Sequence, residues 1–213
     1  MKLREVGFRA LYRHFCAFPI TDAVKAALKG FPEEWRANIA LVYGYIDREA
    51  GLTLEVLAAG EKNDLGYRFF DTDPNIRSFL RISAVSEEDF SYFDDPDGEL
   101  KMRFAEKLKA LDAYAVPEAV EHTRSMAFLD PCRDPQYVDD VVVYLKKNRL
   151  IPEGCWARIT GYGEFWFTGT LLNEPTQPFG IHRGDSIAFI VQEEEDKTVN
   201  CVVDLDPGKK IVV

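Results

Sequence analysis

The sequence lacks the short patterns from which an enzyme class is recognised by residues alone. It contains no GxxxxGK[ST] phosphate loop, no GxGxxG after a predicted strand and no GxSxG nucleophile turn. Its three histidines, His14, His122 and His182, show neither the HxxxH nor the HExxH spacing that places two metal ligands on one helical face. We therefore expect no cofactor and no metal site, and no residue can be assigned a catalytic role.

Cysteine and long apolar runs are also scarce. The four cysteines, Cys16, Cys132, Cys155 and Cys201, are far apart and form no CxxC pair. No apolar run approaches the roughly 20 residues that a membrane helix needs. Basic residues interrupt the first part of the chain, which does not resemble a signal peptide. We expect a cytoplasmic protein with reduced thiols and no membrane association.

Positive charge is in deficit. The chain has 36 acidic and 26 basic residues, which gives a formal net charge of −10. A nucleic-acid-binding protein needs a basic face that displaces counterions, and so does a protein that docks on an anionic membrane. Nucleic acid is therefore not an expected partner. A partner protein remains compatible with this charge, and so does a role in solubility alone.

The first 150 residues have the periodicity of a small sheet flanked by helices. Helices are predicted over residues 3–16 and 22–29, and strands over residues 39–45, 52–56, 67–70 and 77–83. Gly30 is a stop signal for the second helix, and Asp47–Gly51 is the turn of a hairpin.

Three further helices are predicted before the tail. In the first, Leu100, Phe104, Leu108 and Leu111 recur at helical spacing, while Lys and Glu residues fill the other face. The second begins at Pro117 and runs to about residue 126. The third, over 134–147, has the clearest pattern, with a buried stripe formed by Val138, Val141, Val142 and Leu145.

The tail is rich in strand-like runs separated by Gly, Pro and Asn turns. Strands are predicted over residues 155–160, 165–172, 186–192 and 199–205. Four short strands with aromatic residues indicate a small curled sheet or half-barrel. The predicted fold is α+β, with a sheet-and-helix region over residues 1–150 and a small β-rich module over 151–213. The two regions could also form one domain.

Residues 150–195 carry a series of features that occurs in one bacterial domain family. The series is Trp156 early in a strand, then Phe167, Gly169, Leu171, Asn173 and Pro175 at alternate positions, then Gly184 and Asp185 before the next strand. This part of the chain resembles a family of bacterial domains of unknown function that has relatives among toxin-immunity proteins. The resemblance implies a module with a binding role and implies no catalytic residue.

The candidate binding residues lie in the same tail. The glycine-rich segment Phe179–Asp185 contains His182, Arg183 and Asp185, and loops on a rigid sheet commonly carry binding groups. The alternative for this segment is a plain hairpin connection. Trp166 is the fourth candidate, because strand alternation places it opposite Phe165 and Phe167. It then either packs under another element or belongs to a contact surface.

The leading functional prediction is a non-enzymatic protein-binding protein, of the immunity type that covers a toxin domain. It depends on the acidic charge, the missing catalytic patterns and the resemblance of the tail. Two alternatives remain open at this point. One is an enzyme whose site surrounds His182, Arg183 and Asp185, and the other is a module that binds a small molecule or a peptide.

Overall fold

The computed structural model describes residues 6–31 and 36–206. The chain divides into two compact units, Met1–Ala115 and Val116–Val213. The fold is α+β, as the sequence predicts, with more strand than helix. No helix in the described ranges is both long enough and apolar enough to cross a membrane.

The first unit is a six-stranded sheet with short helices. Its strands are β1 (Phe15–Pro19), β2 (Ile39–Asp47), β3 (Gly51–Asn63), β4 (Gly66–Phe69), β5 (Phe79–Arg81) and β6 (Ser91–Phe93). Its helices are α1 (Asp22–Ala27), α2 (Ile82–Val85), α3 (Glu99–Arg103) and α4 (Ala105–Lys109), with 3-10 turns at Phe8–Ala10 and Ala110–Tyr114. The strand order is β4–β3–β2–β1–β6, and β5 pairs with a second part of β3.

This sheet curls until the side chains of its two outer strands meet. The hydroxyl of Tyr67 on β4 donates to Oγ of Ser91 on β6 at 3.2 Å. The rings of Tyr67 and Phe93 lie 4.6 Å apart, edge to face. Phe104, which follows α3, packs into the apolar cluster of the sheet with Phe15. The curl therefore encloses a core that the α3–α4 segment helps to fill.

Two predictions for the first unit are confirmed and one is wrong. The α1 helix ends before Gly30, which has φ of +95°, and the β2–β3 hairpin has the predicted turn. The helix predicted over residues 3–16 does not form in the described part of that range, where Phe15–Pro19 is a strand. Pairing of β1 with both β2 and β6 outweighs the local helical spacing.

The second unit is a closed barrel of five strands. Its elements are α5 (Glu118–Thr123), a 3-10 turn at Ala127–Cys132, β7 (Asp140–Lys146), β8 (Glu153–Tyr162), β9 (Phe167–Leu171), β10 (Ser186–Glu193) and β11 (Val199–Asp204). The strands run up and down in sequence, and β11 closes the ring by pairing with β7 in parallel. The parallel pair is unavoidable because an odd number of alternating strands leaves the first and last pointing the same way.

The strand β7 corrects the helix predicted over residues 134–147. Val141, Val143 and Leu145 are completely buried in the barrel, and Tyr144 between them is exposed, which is the period of a strand. The run of β-branched valines favours a strand, and pairing with β8 and β11 on either side decides it. The four predicted tail strands are confirmed, and β7 is the fifth that closes the half-barrel. A domain boundary near residue 150 would cut this barrel between β7 and β8.

Candidate functional site

The loop between β9 and β10 is organised by the carboxylate of Glu174. This carboxylate accepts a hydrogen bond from Nδ1 of His182 at 2.6 Å and one from the backbone N–H of Arg183 at 2.9 Å. The carboxylate of Asp185 accepts from the backbone N–H of His182 at 2.8 Å. Gly184 has φ of +93°, a left-handed conformation that glycine adopts without strain, and it turns the chain into β10.

The structure therefore brings together three of the four candidate residues, His182, Arg183 and Asp185. Hydrogen bonding to Glu174 raises the pKa of His182. The Arg183 backbone N–H and the His182 ring lower the pKa of Glu174. Both carboxylates accept hydrogen bonds from groups of their own loop, and the side chains of Glu174, His182, Arg183 and Asp185 are all exposed to solvent. Glu174 is not among the residues that the sequence predicts for this site, because no periodic signal links positions 174 and 182.

Trp166 belongs to a different place on the barrel. Trp166 directly precedes Phe167, the first residue of β9. The loop with His182 follows the last residue of β9, Leu171, whose carbonyl accepts a hydrogen bond from the N–H of Gly184 at 2.8 Å. Five strand residues span on the order of 16 Å. The four candidate residues therefore form two sites, one at each end of β9.

Trp166 is half-buried and lies against the turn that joins β8 to β9. A Cβ atom on Gly163 would come within 2.5 Å of the Trp166 ring. The backbone N–H of Gly163 donates to the Trp166 carbonyl at 2.8 Å. The turn therefore requires glycine at position 163 for this ring position, and Trp166 covers the turn and does not enter the barrel core.

Exposed aromatic side chains surround this turn. Phe128, Tyr162 and Phe165 are 51%, 39% and 77% exposed. The buried ring of Phe167 lies near two of them, with its centroid 6.3 Å from that of Phe128 and 6.5 Å from that of Tyr162. We call Phe128, Tyr162, Phe165 and Trp166 the aromatic patch.

Two acidic residues next to members of the aromatic patch in the chain are exposed. Asp130 lies two residues after Phe128, and Glu164 directly precedes Phe165; Glu118 at the start of α5 is exposed as well. The two arginines of the same segments, Arg124 and Arg133, are buried, and Arg124 forms two hydrogen bonds with Asp139. The acidic side chains of these segments are therefore exposed to solvent, whereas their two arginines are not.

The first unit contains a cleft of about 410 Å³. Asp71, Thr72 and Pro74 line one side, and residues 102–107 line the other. Lys107 in this second wall is only 2% exposed, and its Nζ donates to the Val56 carbonyl of β3 at 3.2 Å. The helical pattern placed Lys residues on the solvent face, which is wrong for Lys107. Helical spacing identifies the apolar face of a helix, but it does not show whether another element also packs against the polar face.

Ionisable groups cluster near Lys107 on β3 and its neighbours. Glu55 is 1% exposed, and Nη2 of Arg77 donates to its Oε2 at 3.0 Å. The rings of Tyr45 and Tyr114 lie 4.7 Å apart, and burial raises the pKa of Tyr45. Burial also lowers the pKa of Lys107, against the attraction of Glu55. This cluster had no signal in the sequence, because its five members come from five separate segments.

The cysteines are buried free thiols. A hydrogen bond with Cys201 lowers the pKa of Cys132 to about 7, and Sγ of Cys132 lies 3.3 Å from the Val199 carbonyl. Within residues 6–31 and 36–206, no group of three or more His, Cys, Asp or Glu side chains could hold a metal ion.

Comparison of the chain with protein-family models, with curated proteins and with solved structures gave no match. The resemblance of residues 150–195 to a bacterial domain family stays a prediction. The geometry of the residues themselves is the basis for a functional proposal.

Proposed function

We propose that this protein is a non-enzymatic binding protein whose aromatic patch contacts a partner protein. The observation that carries the proposal is the exposure of Phe128 and Tyr162 against the buried ring of Phe167, together with the exposed Phe165 in the adjoining β8–β9 turn. A group of exposed aromatic side chains on one part of a surface marks an interaction site, because its hydration is unfavourable. Aromatic side chains also contribute a large share of the binding energy at protein interfaces.

The partner should present a basic surface around an apolar centre. Asp130 and Glu164 are exposed and adjoin Phe128 and Phe165 in the chain, and the whole chain has a net charge of −10. Opposite charge on a partner raises the association rate and selects against acidic competitors. An immunity protein that covers the basic, substrate-binding surface of a toxin domain fits this pattern, and that is the specific role we propose.

The loop with His182 and Arg183 can belong to the same interface. It lies at the opposite end of β9 from Trp166, on the order of 16 Å away along the strand. An interface of ordinary size covers about 800 Å² of each partner, which is wide enough to include both ends. The loop then supplies the exposed cation of Arg183 and the ring of His182 at the edge of the contact.

Co-expression with a toxin tests this proposal. Each polypeptide encoded beside the gene is expressed alone and with this protein, and growth is measured together with the affinity of the purified pair. We expect the protein to restore growth and to bind without turnover. Restored growth with chemical modification of the toxin, or with no measurable complex, would contradict a non-enzymatic binding role.

Variants then locate the contact. Phe165→Ala and Trp166→Ala should each weaken binding at least about tenfold, which corresponds to about 1.4 kcal/mol. Leu65→Ala is the control, because Leu65 is 98% exposed and lies in the β3–β4 turn of the first unit. Unchanged melting temperatures must accompany each comparison. Equal affinities for all three variants would remove the aromatic patch from the interface.

The alternative of an enzyme centred on His182 has less support. Glu174 and Asp185 accept hydrogen bonds from their own loop, and the ring of His182 is 73% exposed. General acid–base groups work best where water is excluded and a substrate can be held. The cleft of the first unit offers a better place for a small molecule than this loop does.

A further inference from the structure

The outer surface of the barrel has a groove where β7 and β11 lie side by side. The groove measures about 250 Å³ and is lined by Tyr144, Lys146, Pro152, Asn200 and Val202. Sites for drug-sized ligands begin at about 300 Å³. This groove is smaller, so it fits one or two side chains of a longer ligand better than a whole organic molecule.

Strand alternation builds the floor and one wall of this groove. In the parallel pair of strands, Val202 lies beside Tyr144, whereas the next pair, Val203 and Leu145, is buried in the barrel core. Successive side chains of a strand point to opposite faces, so Val202 and Tyr144 point away from the core. Val202 is 3% exposed and forms the floor, and Tyr144 is 38% exposed and forms a wall.

The wall at Pro152 is held in place on both sides. The side-chain amide of Gln177 accepts a hydrogen bond from the Ile151 N–H at 3.1 Å and donates one to the Ile151 carbonyl at 2.8 Å. The carboxylate of Glu153 accepts hydrogen bonds from the backbone N–H and from Oγ1 of Thr176, at 2.6 and 2.8 Å. The groove is therefore preformed, and a ligand does not have to order this wall on binding.

Three polar side chains in the groove are available to a ligand. Within residues 6–31 and 36–206, the ammonium of Lys146, the carboxamide of Asn200 and the hydroxyl of Tyr144 form no hydrogen bond or ion pair. Lys146 and Asn200 are also half-buried. An apolar pocket with a few converging polar groups is the usual form of a binding site, because those groups fix the orientation of the ligand.

The charge of the groove selects the ligand. Of the five residues that line it, Lys146 is the one with a charge, although the whole chain has a net charge of −10. Asp204 is the neighbour of Lys146 in the strand register, but it does not line the groove, and its Oδ1 accepts the Asp206 N–H at 3.1 Å. A carboxylate on the ligand can therefore pair with Lys146, whereas a basic ligand would meet a like charge.

We propose that this groove binds an extended acidic segment of a partner protein, in which an apolar side chain lies next to an Asp or Glu. The apolar side chain packs between Tyr144 and Pro152, over Val202. The neighbouring carboxylate pairs with Lys146, and the carboxamide of Asn200 both donates to and accepts from the peptide backbone. A nucleic acid fits less well, because one cation in the groove cannot neutralise a run of phosphates.

A random heptapeptide library displayed on phage is the probe for this proposal. It is selected on the intact wild-type protein and, in parallel, on Lys146→Glu. We expect the wild type to enrich sequences in which an Asp or Glu adjoins Leu, Ile, Val or Pro, and Lys146→Glu not to enrich them. The most enriched peptide is then synthesised with a fluorescein label, and its affinity is measured by fluorescence anisotropy.

Variants locate the bound peptide. Lys146→Glu should weaken its affinity at least about tenfold and Asn200→Ala at least about threefold. Lys109→Glu is the matched control, because it makes the same change of charge at an exposed lysine of the first unit. Tyr144→Ala, which removes a wall without a change of charge, should also weaken binding. Each variant is compared only after its melting temperature is shown to match the wild type.

The aromatic patch is tested separately with the same peptide. Phe165→Ala and Trp166→Ala should leave the peptide affinity unchanged, so that this groove and the patch can each fail without the other. The proposal is overturned if the wild type enriches no acidic sequences. It is equally overturned if Lys146→Glu weakens the peptide no more than Lys109→Glu does, or if Asn200→Ala and Tyr144→Ala both bind it as the wild type does.

Discussion

Nδ1 of His182 lies 2.6 Å from Oε1 of Glu174, and both side chains are largely exposed. The pair links the two ends of the loop between β9 and β10, since Glu174 also accepts the backbone N–H of Arg183. A charged imidazolium strengthens the hydrogen bond to a carboxylate. The order of this loop is therefore coupled to the protonation of one histidine.

The first prediction concerns the titration of His182. Because Glu174 raises its pKa, the His182 ring should titrate by NMR above the ordinary midpoint of about 6.5. Glu174→Gln should lower that midpoint. The hydrogen bond to Glu174 stabilises the fold in full at pH values below the unfolded-state pKa of His182. This stabilisation disappears as the pH rises through the higher folded-state pKa of the same ring. An identical midpoint in the wild type and in Glu174→Gln would show that the pair does not form in solution.

The second prediction distinguishes a strand from a helix at residues 140–146. Val143 is completely buried in the barrel, whereas Val142 lies between strand positions that face inward and is only partly buried. Val143→Asp should cost several kcal/mol because it buries an unpaired charge. Val142→Asp should cost clearly less. Thermal melts of both variants provide the comparison, and a larger loss for Val142→Asp would favour the helical arrangement of this segment.

The third prediction concerns Gly44 in the middle of β2. A Cβ atom at this position would lie 2.0 Å from the carbonyl oxygen of Leu11, which is backbone and cannot rotate away. Gly44→Ala should therefore destabilise the first unit by several kcal/mol. Gly7→Ala is the matched control, since a Cβ on Gly7 meets no atom within 4 Å. Urea denaturation of the two variants checks this, and equal midpoints would mean that the chain near Leu11 moves aside freely.

The fourth prediction concerns the buried ion pair between Arg124 and Asp139. Two hydrogen bonds of 2.9 and 2.8 Å join side chains that are 4% and 3% exposed. Asp139→Asn removes the more deeply buried of the two carboxylates bonded to Arg124, the other being Glu121, and should cost about 2 kcal/mol. Asp130→Asn is the control, because Asp130 is 41% exposed and lies 3.5 Å from Arg133, so its loss should cost under about 1 kcal/mol. If Asp139→Asn and Asp130→Asn shift the denaturation midpoint equally, then burial does not strengthen the ion pair between Arg124 and Asp139.

The sequence alone determined those elements whose ends are set by local turn and stop residues. Gly30 ends α1, Asp47–Gly51 turns the β2–β3 hairpin, and Gly, Pro and Asn separate the four tail strands. Backbone geometry at such positions depends on the residue itself and its immediate neighbours, so the pattern is sufficient. The closeness of His182, Arg183 and Asp185 follows in the same way from their adjacency in one loop.

Only the tertiary structure decided which positions are covered by distant segments. The valines of β7 satisfy helical and strand periods alike, and pairing with β8 and β11 chooses between them. Lys107 has the spacing of a solvent-facing lysine, yet it is buried beside β3. Glu174 reaches His182 across eight residues because the β9–β10 loop folds back. Burial and pKa depend on what packs against a side chain, and periodicity along the chain carries no information about that neighbour.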